Sequence, residues 1–127
     1  MKRIYIAGPY SADNVMDVLR NIREGIKIST EVFKLGYSPF SPWLDFHFVL
    51  MDIGNELKLE DFYRYSIDWL AVSDAILMTG DWQNSKGSAK EWEYAKKNNI
   101  PVFYSIGELI KSDIENKLNN ICLFRNK

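Results

Sequence analysis

Four residues of chemically useful type stand close together in the stretch Asp81–Ala95, DWQNSKGSAKEWEYA: Ser85, Gly87, Ser88 and Glu91. A loop of small and polar residues there runs into a helical pattern. Small hydroxyl residues and a glycine at a helix start can offer backbone N–H groups to an anion. A carboxylate one turn further in lies at the same end of the helix. The chemistry this spacing allows is a grip on the polar part of a small substrate, with Glu91 as the reacting group. The plainer reading uses the same residues differently. Ser85 or Ser88 is then an N-cap, Gly87 allows a tight turn, and Glu91 is a carboxylate favoured by the helix dipole.

The elements that would position this stretch are readable in order. RIYIAG (3–8) is short, β-rich and closed by Gly8-Pro9, as a buried strand would be. Apolar residues at three- and four-residue spacing predict a helix from about Asn14 to Leu35, stopped by Gly36. Tyr37 to Phe40 reads as a second strand. The segment from Trp43 to Glu56 is aromatic and apolar without one period, and reads as a short helix or folded lid. A helix from Leu57 to Val72 follows, then a strand Ala75 to Thr79, and then the loop and helix described above. Pro101 to Tyr104 is a fourth strand, a helix runs to about Leu118, and Ile121 to Phe124 suggests a short fifth strand.

Strands alternating with amphipathic helices predict an α/β fold. The expected architecture is a Rossmann-like (flavodoxin-like) three-layer sandwich of about five mostly parallel strands in the order 2-1-3-4-5. The 127 residues suit one domain. Ligands in such sheets bind beyond the carboxyl ends of the strands. That rule gathers Gly8 to Ser11, the 41–56 region, Gly80 to Glu91 and Ser105 at one edge. Trp43, Phe46, Phe48 and Trp82 fall near this edge and could stack on a base, although packing is the commoner fate of such residues.

Composition narrows the function. A formal net charge of −1 gives no bulk attraction for a nucleic-acid polymer or an anionic membrane, yet leaves room for a local phosphate site. One cysteine, Cys122, forms no internal disulfide and is expected to be buried and inert. One histidine, His47, with one cysteine does not make a usual zinc site, so no metal is expected. No run approaches a membrane span, and the start lacks a signal-peptide layout, so a cytoplasmic location is expected.

Three motifs in order carry a family resemblance: IYIAG (4–8), IDWLAVSDAIL (67–77) and SKGSAKEWEYA (85–95). With these the chain resembles the nucleoside 2-deoxyribosyltransferase superfamily, which includes deoxynucleoside 5′-monophosphate N-glycosidases. The resemblance implies that Glu91 attacks the anomeric carbon and that Tyr5 orients it. It implies that Asp68 contacts the sugar or assists proton transfer to the base. Gly8, Ser11, Ser85, Gly87 and Ser88 would hold sugar or phosphate. Ser85 matches the serine of the monophosphate glycosidases, where nucleoside transferases have aspartate, and this leans the substrate toward a nucleotide. The first loop, GPYSADN, departs from the glycine- and arginine-rich form of those glycosidases and provides no arginine clamp. No cofactor is implied, and a homodimer or higher homo-oligomer is. The expected activity is cleavage or exchange of an N-glycosidic bond, by a hydrolase or a transferase. The rival reading is a non-catalytic nucleotide-sensing module on the same fold.

Overall fold

The computed structural model describes the backbone over residues 1–125 and the side chains through Cys122. Four strands form one all-parallel sheet in the order β2-β1-β3-β4: β1 Arg3–Ala7, β2 Ser38–Phe40, β3 Ala75–Met78 and β4 Val102–Phe103. The helices are α1 Val15–Lys34, α2 Phe46–Met51, α3 Leu59–Leu70, α4 Lys86–Lys97 and α5 Ile106–Arg125. Short 3-10 turns at Pro42–Asp45 and Trp82–Asn84 precede α2 and α4.

The sheet is covered on both faces, which is why its two central strands read as unbroken apolar runs. Side chains alternate along a strand. Ile4 and Ile6 of β1, with Ala75 and Leu77 of β3, meet Ile22 and Val32 of α1 and Leu109 of α5. Tyr5 and Ala7, with Ile76 and Met78, meet Leu70 of α3 and Ala95 of α4. The register sets Tyr5 beside Phe40 on one side and Ile76 on the other. Asp74 pins the start of β1, since its Oδ2 accepts from the backbone N–H of Lys2 and of Arg3, each at 2.8 Å. Asn14 caps α1 by accepting from Asp17 N–H at 2.9 Å, and Gly36 ends that helix region at φ 98°.

The expected fifth strand is not formed. Residues 121–124 continue α5, because no glycine or proline interrupts the chain after Gly107 and nothing stops the helix at Leu118. The order 2-1-3-4-5 therefore shortens to four strands. Cys122 is exposed on α5 and not buried, for the same reason. Among the described residues, no helix is long and apolar enough to cross a membrane.

Candidate active site

The carboxyl edge of the sheet opens into a cavity of about 450 Å³, within the roughly 300–1,000 Å³ range of small-molecule sites. β1 delivers Gly8, Tyr10 and Ser11 to it. The 3-10 turn after β2 brings Pro42, Trp43 and Asp45. α3 contributes Leu59, Phe62, Tyr63, Ser66 and Ile67, and α4 with its preceding loop supplies Asn84 to Ser88, Lys90 and Glu91.

Glu91 sits at the inner wall, only 9% exposed. Beneath it lies Tyr5, fully buried on β1. Tyr5 Oη, Ser88 Oγ and Glu91 Oε2 are buried without a hydrogen-bond partner among the described residues. Buried polar atoms are paired almost everywhere in proteins, so an orphaned carboxyl oxygen with two orphaned hydroxyls near it marks a site arranged for something other than stability. Burial raises the Glu91 carboxyl to about 8. The Tyr5 hydroxyl works against this by favouring the ionised form, without reaching the geometry of a formed hydrogen bond, and the charge of Asp45 raises it further. Tyr5 is itself pushed well above the usual tyrosine range, first by burial and then by the Glu91 charge.

Asp45 is the second carboxyl of the cavity, also 9% exposed. Burial lifts it to about 6, while the facing Tyr10 hydroxyl lowers it. Tyr10 rises in turn to about 12, through burial and then the Asp45 charge. Trp43 fixes this turn in place. Its indole Nε1 donates to Pro9 O at 2.9 Å, and its ring lies flat on α1 where Gly25 has no side chain. A Cβ at Gly25 would overlap the Trp43 ring, and one at Gly8 would overlap Thr79 Oγ1. Both glycines are therefore required by close approach.

The α4 end of the cavity is the most polar. Ser85 is the N-cap, accepting from Ser88 N–H at a long 3.4 Å, so its O–H remains able to donate. Gly87 leaves the first turn bare, with a Tyr63 ring atom 3.4 Å from where a Cβ would stand. Lys90 Nζ lies 4.3 Å from the Tyr63 ring centre, and Lys86 lines the same mouth.

Of the residues singled out in the sequence, Gly8, Ser11, Ser85, Gly87, Ser88 and Glu91 line this cavity, and Tyr5 lies against Glu91. Asp68 does not join them. It is exposed on α3, and it stands two residues, about 200° of helical rotation, from Ser66, the polar residue that α3 does present to Tyr5. Ser66 is buried and faces the Tyr5 hydroxyl, lowering its pKa without a formed hydrogen bond. Trp82 stacks on Trp92 with centroids 5.6 Å apart, away from the cavity, and His47 is exposed against Phe46.

Phe62, Tyr63 and Ser66 of α3 were not anticipated at the site, and Asp45, Tyr10, Lys86 and Lys90 fell within the stretches gathered at the ligand edge without being singled out. Asp45 had a usable signal: a carboxylate inside the apolar run WLDFHFVL is costly to bury and needs a reason. No cluster of His, Cys, Asp and Glu suited to a metal occurs among the described residues.

No curated protein matches the chain. The cavity-lining residues and Tyr5 all fall within residues 2–104, which match the family described as Domain of unknown function (DUF4406), and the chain belongs to that family.

Proposed function

We propose that this chain cleaves or exchanges the N-glycosidic bond of a nucleoside, deoxynucleoside or the corresponding 5′-monophosphate, with Glu91 as the nucleophile. The observation that carries this reading is the buried, unpartnered Glu91 carboxyl beside the unpartnered Tyr5 hydroxyl at the ligand edge of the sheet. Breaking such a bond builds positive charge on the sugar, and a carboxylate held out of water stabilises it or captures it covalently. Tyr5 orients the carboxylate and favours its ionised form. The resemblance of the three sequence motifs supports the same roles for Glu91 and Tyr5.

Gly8 and Ser11 hold the sugar side, and the first turn of α4 takes a phosphate. There Ser85 and Ser88 donate hydroxyl bonds, and the unspent N–H groups of the helix start point the same way. Lys86 and Lys90 supply the cations that the first loop lacks. The rings of Phe62 and Tyr63 give a base an apolar wall. Exposed Leu50, Met51 and Ile53, which follow the cavity-lining Val49 in the chain, support assembly into a homo-oligomer.

The test is a panel of nucleosides, deoxynucleosides and their monophosphates, with and without an acceptor base, followed by chromatography. Free base without acceptor identifies a hydrolase, and a new nucleoside only with acceptor identifies a transferase. Ligand that binds and stays whole, with Glu91→Ala binding equally well, overturns the enzymatic reading in favour of a sensing module.

A further inference from the structure

We propose that Asp45 is the proton carrier of this site: it protonates the leaving base as Glu91 attacks the anomeric carbon, and recovers a proton from the acceptor that releases the sugar. The assignment rests on the glycosidic reading above and supplies the acid that reading needs.

The leaving base must gain a proton, and that requires a second acid within reach of the reacting bond. Asp68 is on the outer side of α3 and does not line the cavity. Ser66, which takes the inner side, is a hydroxyl and a poor acid. Asp45 and Glu91 are the two carboxyls lining the cavity, contributed from different elements, and the charge of one is felt by the other. Asp45 is held rigidly by its neighbour Trp43, which is 1% exposed and bound at both Pro9 and Gly25. It caps no helix with its side chain, although it stands directly before α2. A buried carboxyl with no capping role, fixed in place and facing a second carboxyl across a cavity, is arranged for proton transfer.

The step balances with one proton shared by the pair. The Glu91 carboxylate forms a bond to C1′ as the C1′–N bond breaks, and its electron pair leaves on the base. The base takes the Asp45 proton, leaving a glycosyl ester on Glu91 and a carboxylate on Asp45. Water then attacks C1′ and gives a proton to Asp45, which restores Glu91 as a carboxylate and the starting proton count. In a transferase the acceptor base replaces water and gives up its N–H proton to Asp45.

Tyr5 from β1 lies against Glu91 and Tyr10 from the segment after it faces Asp45, while Tyr63 from α3 and Lys86 and Lys90 from α4 line the same cavity. Tyr5 and Tyr10 are both pushed above the ordinary tyrosine range, so neither supplies the proton near neutrality. The active form carries one proton on the two carboxyls, on Asp45 with Glu91 ionised; because Glu91 is the weaker acid of the pair, this is the minor of the two one-proton arrangements, and the reaction draws on it. Activity is therefore bell-shaped, with limbs near pH 6 and pH 8.

The experiment compares wild type, Asp45→Asn, Glu91→Gln and Tyr10→Phe on whichever member of the nucleoside and nucleotide panel wild type turns over. Thermal melting verifies that each variant folds. Asp45→Asn is expected to lose roughly 10²–10⁴-fold in kcat. Its profile should become a single limb rising with pH, because Glu91 must still ionise while no proton remains to be lost. Tyr10→Phe removes the hydroxyl that lowers Asp45, so the acid limb should move upward in pH. A folded Asp45→Asn within about tenfold of wild type and still bell-shaped overturns the assignment. An inactive Glu91→Gln in the same series leaves the glycosidic reading standing. If Asp45→Asn does not fold, an acid limb unmoved in Tyr10→Phe overturns the assignment. No turnover by wild type on any substrate overturns the reading and the assignment together.

Discussion

Glu91 and Asp113 expose the same 9% of their surface, yet they are opposite kinds of acid. Asp113 on α5 accepts from the Tyr37 hydroxyl at 2.8 Å and pairs with Lys117 at 3.2 Å. Those partners hold its carboxyl below the usual range, with Tyr37 the larger cause. Burial works against this, but the Tyr37 hydroxyl outweighs it. Glu91 lies deep between α4 and the sheet, finds only an unformed contact with Tyr5, and is raised to about 8. One acid is satisfied and ties α5 to the start of β2. The other is left wanting beside an open cavity. Equal exposure therefore says little by itself, and the state of the partners distinguishes a structural carboxyl from a reactive one.

The sharpest way to break this contrast is to remove the unpartnered member. Glu91→Ala should lower turnover by at least ~10³-fold if the carboxylate is the nucleophile, read as base release per enzyme. Retained turnover would make Glu91 a buried oddity. The same site predicts a stability effect of the opposite sign. The folded chain keeps the Glu91 proton to about pH 8, whereas an ordinary glutamate releases it near 4.5. The native state thus binds more protons across that window, and stability falls as pH rises through it. Glu91→Gln removes this loss. Denaturant midpoints should be higher than wild type at pH 8.5 and close to it at pH 4, and equal differences at the two pH values would contradict the assignment.

Two smaller changes sharpen the contrast. Gly25→Ala pushes a methyl group into the Trp43 ring and should cost roughly 1–3 kcal/mol. Because Trp43 positions Asp45, turnover should fall with it, more than in an exposed Lys27→Ala control on the same helix. Asp113→Ala leaves the Tyr37 hydroxyl without its acceptor and should cost about 1–2 kcal/mol, with turnover per folded molecule unchanged. A loss of turnover there would blur the distinction between the two acids.

Much of the fold was legible because its signals are local. The runs Ile4–Ala7 and Ala75–Met78 and the amphipathic α1 state their own periods, and Gly36 marks a stop. The fifth strand failed because four apolar residues after Asn119-Asn120 cannot distinguish a strand from the end of a helix. At the site, residues next to strand ends and helix starts could be placed, since topology alone gathers them. Asp45 was gathered only with its region, 41–56, and Asp68 was placed at the site by resemblance alone. The apolar residues Leu59, Phe62, Tyr63 and Ile67 mark the face of α3 that turns inward, and Ser66 lies on that face while Asp68 does not. The turn at Pro42–Asp45 exists through the long-range seating of Trp43 on Gly25, a pairing invisible to any local pattern.

That seating has a consequence for how the molecule opens. Trp43 is locked, but α2, which begins immediately after Asp45, contains no buried residue. Its amides should exchange with deuterated solvent much faster than those of β1 and β3, because little apolar area is lost when it unfolds locally. The boundary between slow and fast exchange should therefore fall at Asp45 itself. Local melting of Phe46–Met51 would withdraw Val49 from the cavity wall, while Asp45 and Glu91 stay on the protected side of that boundary.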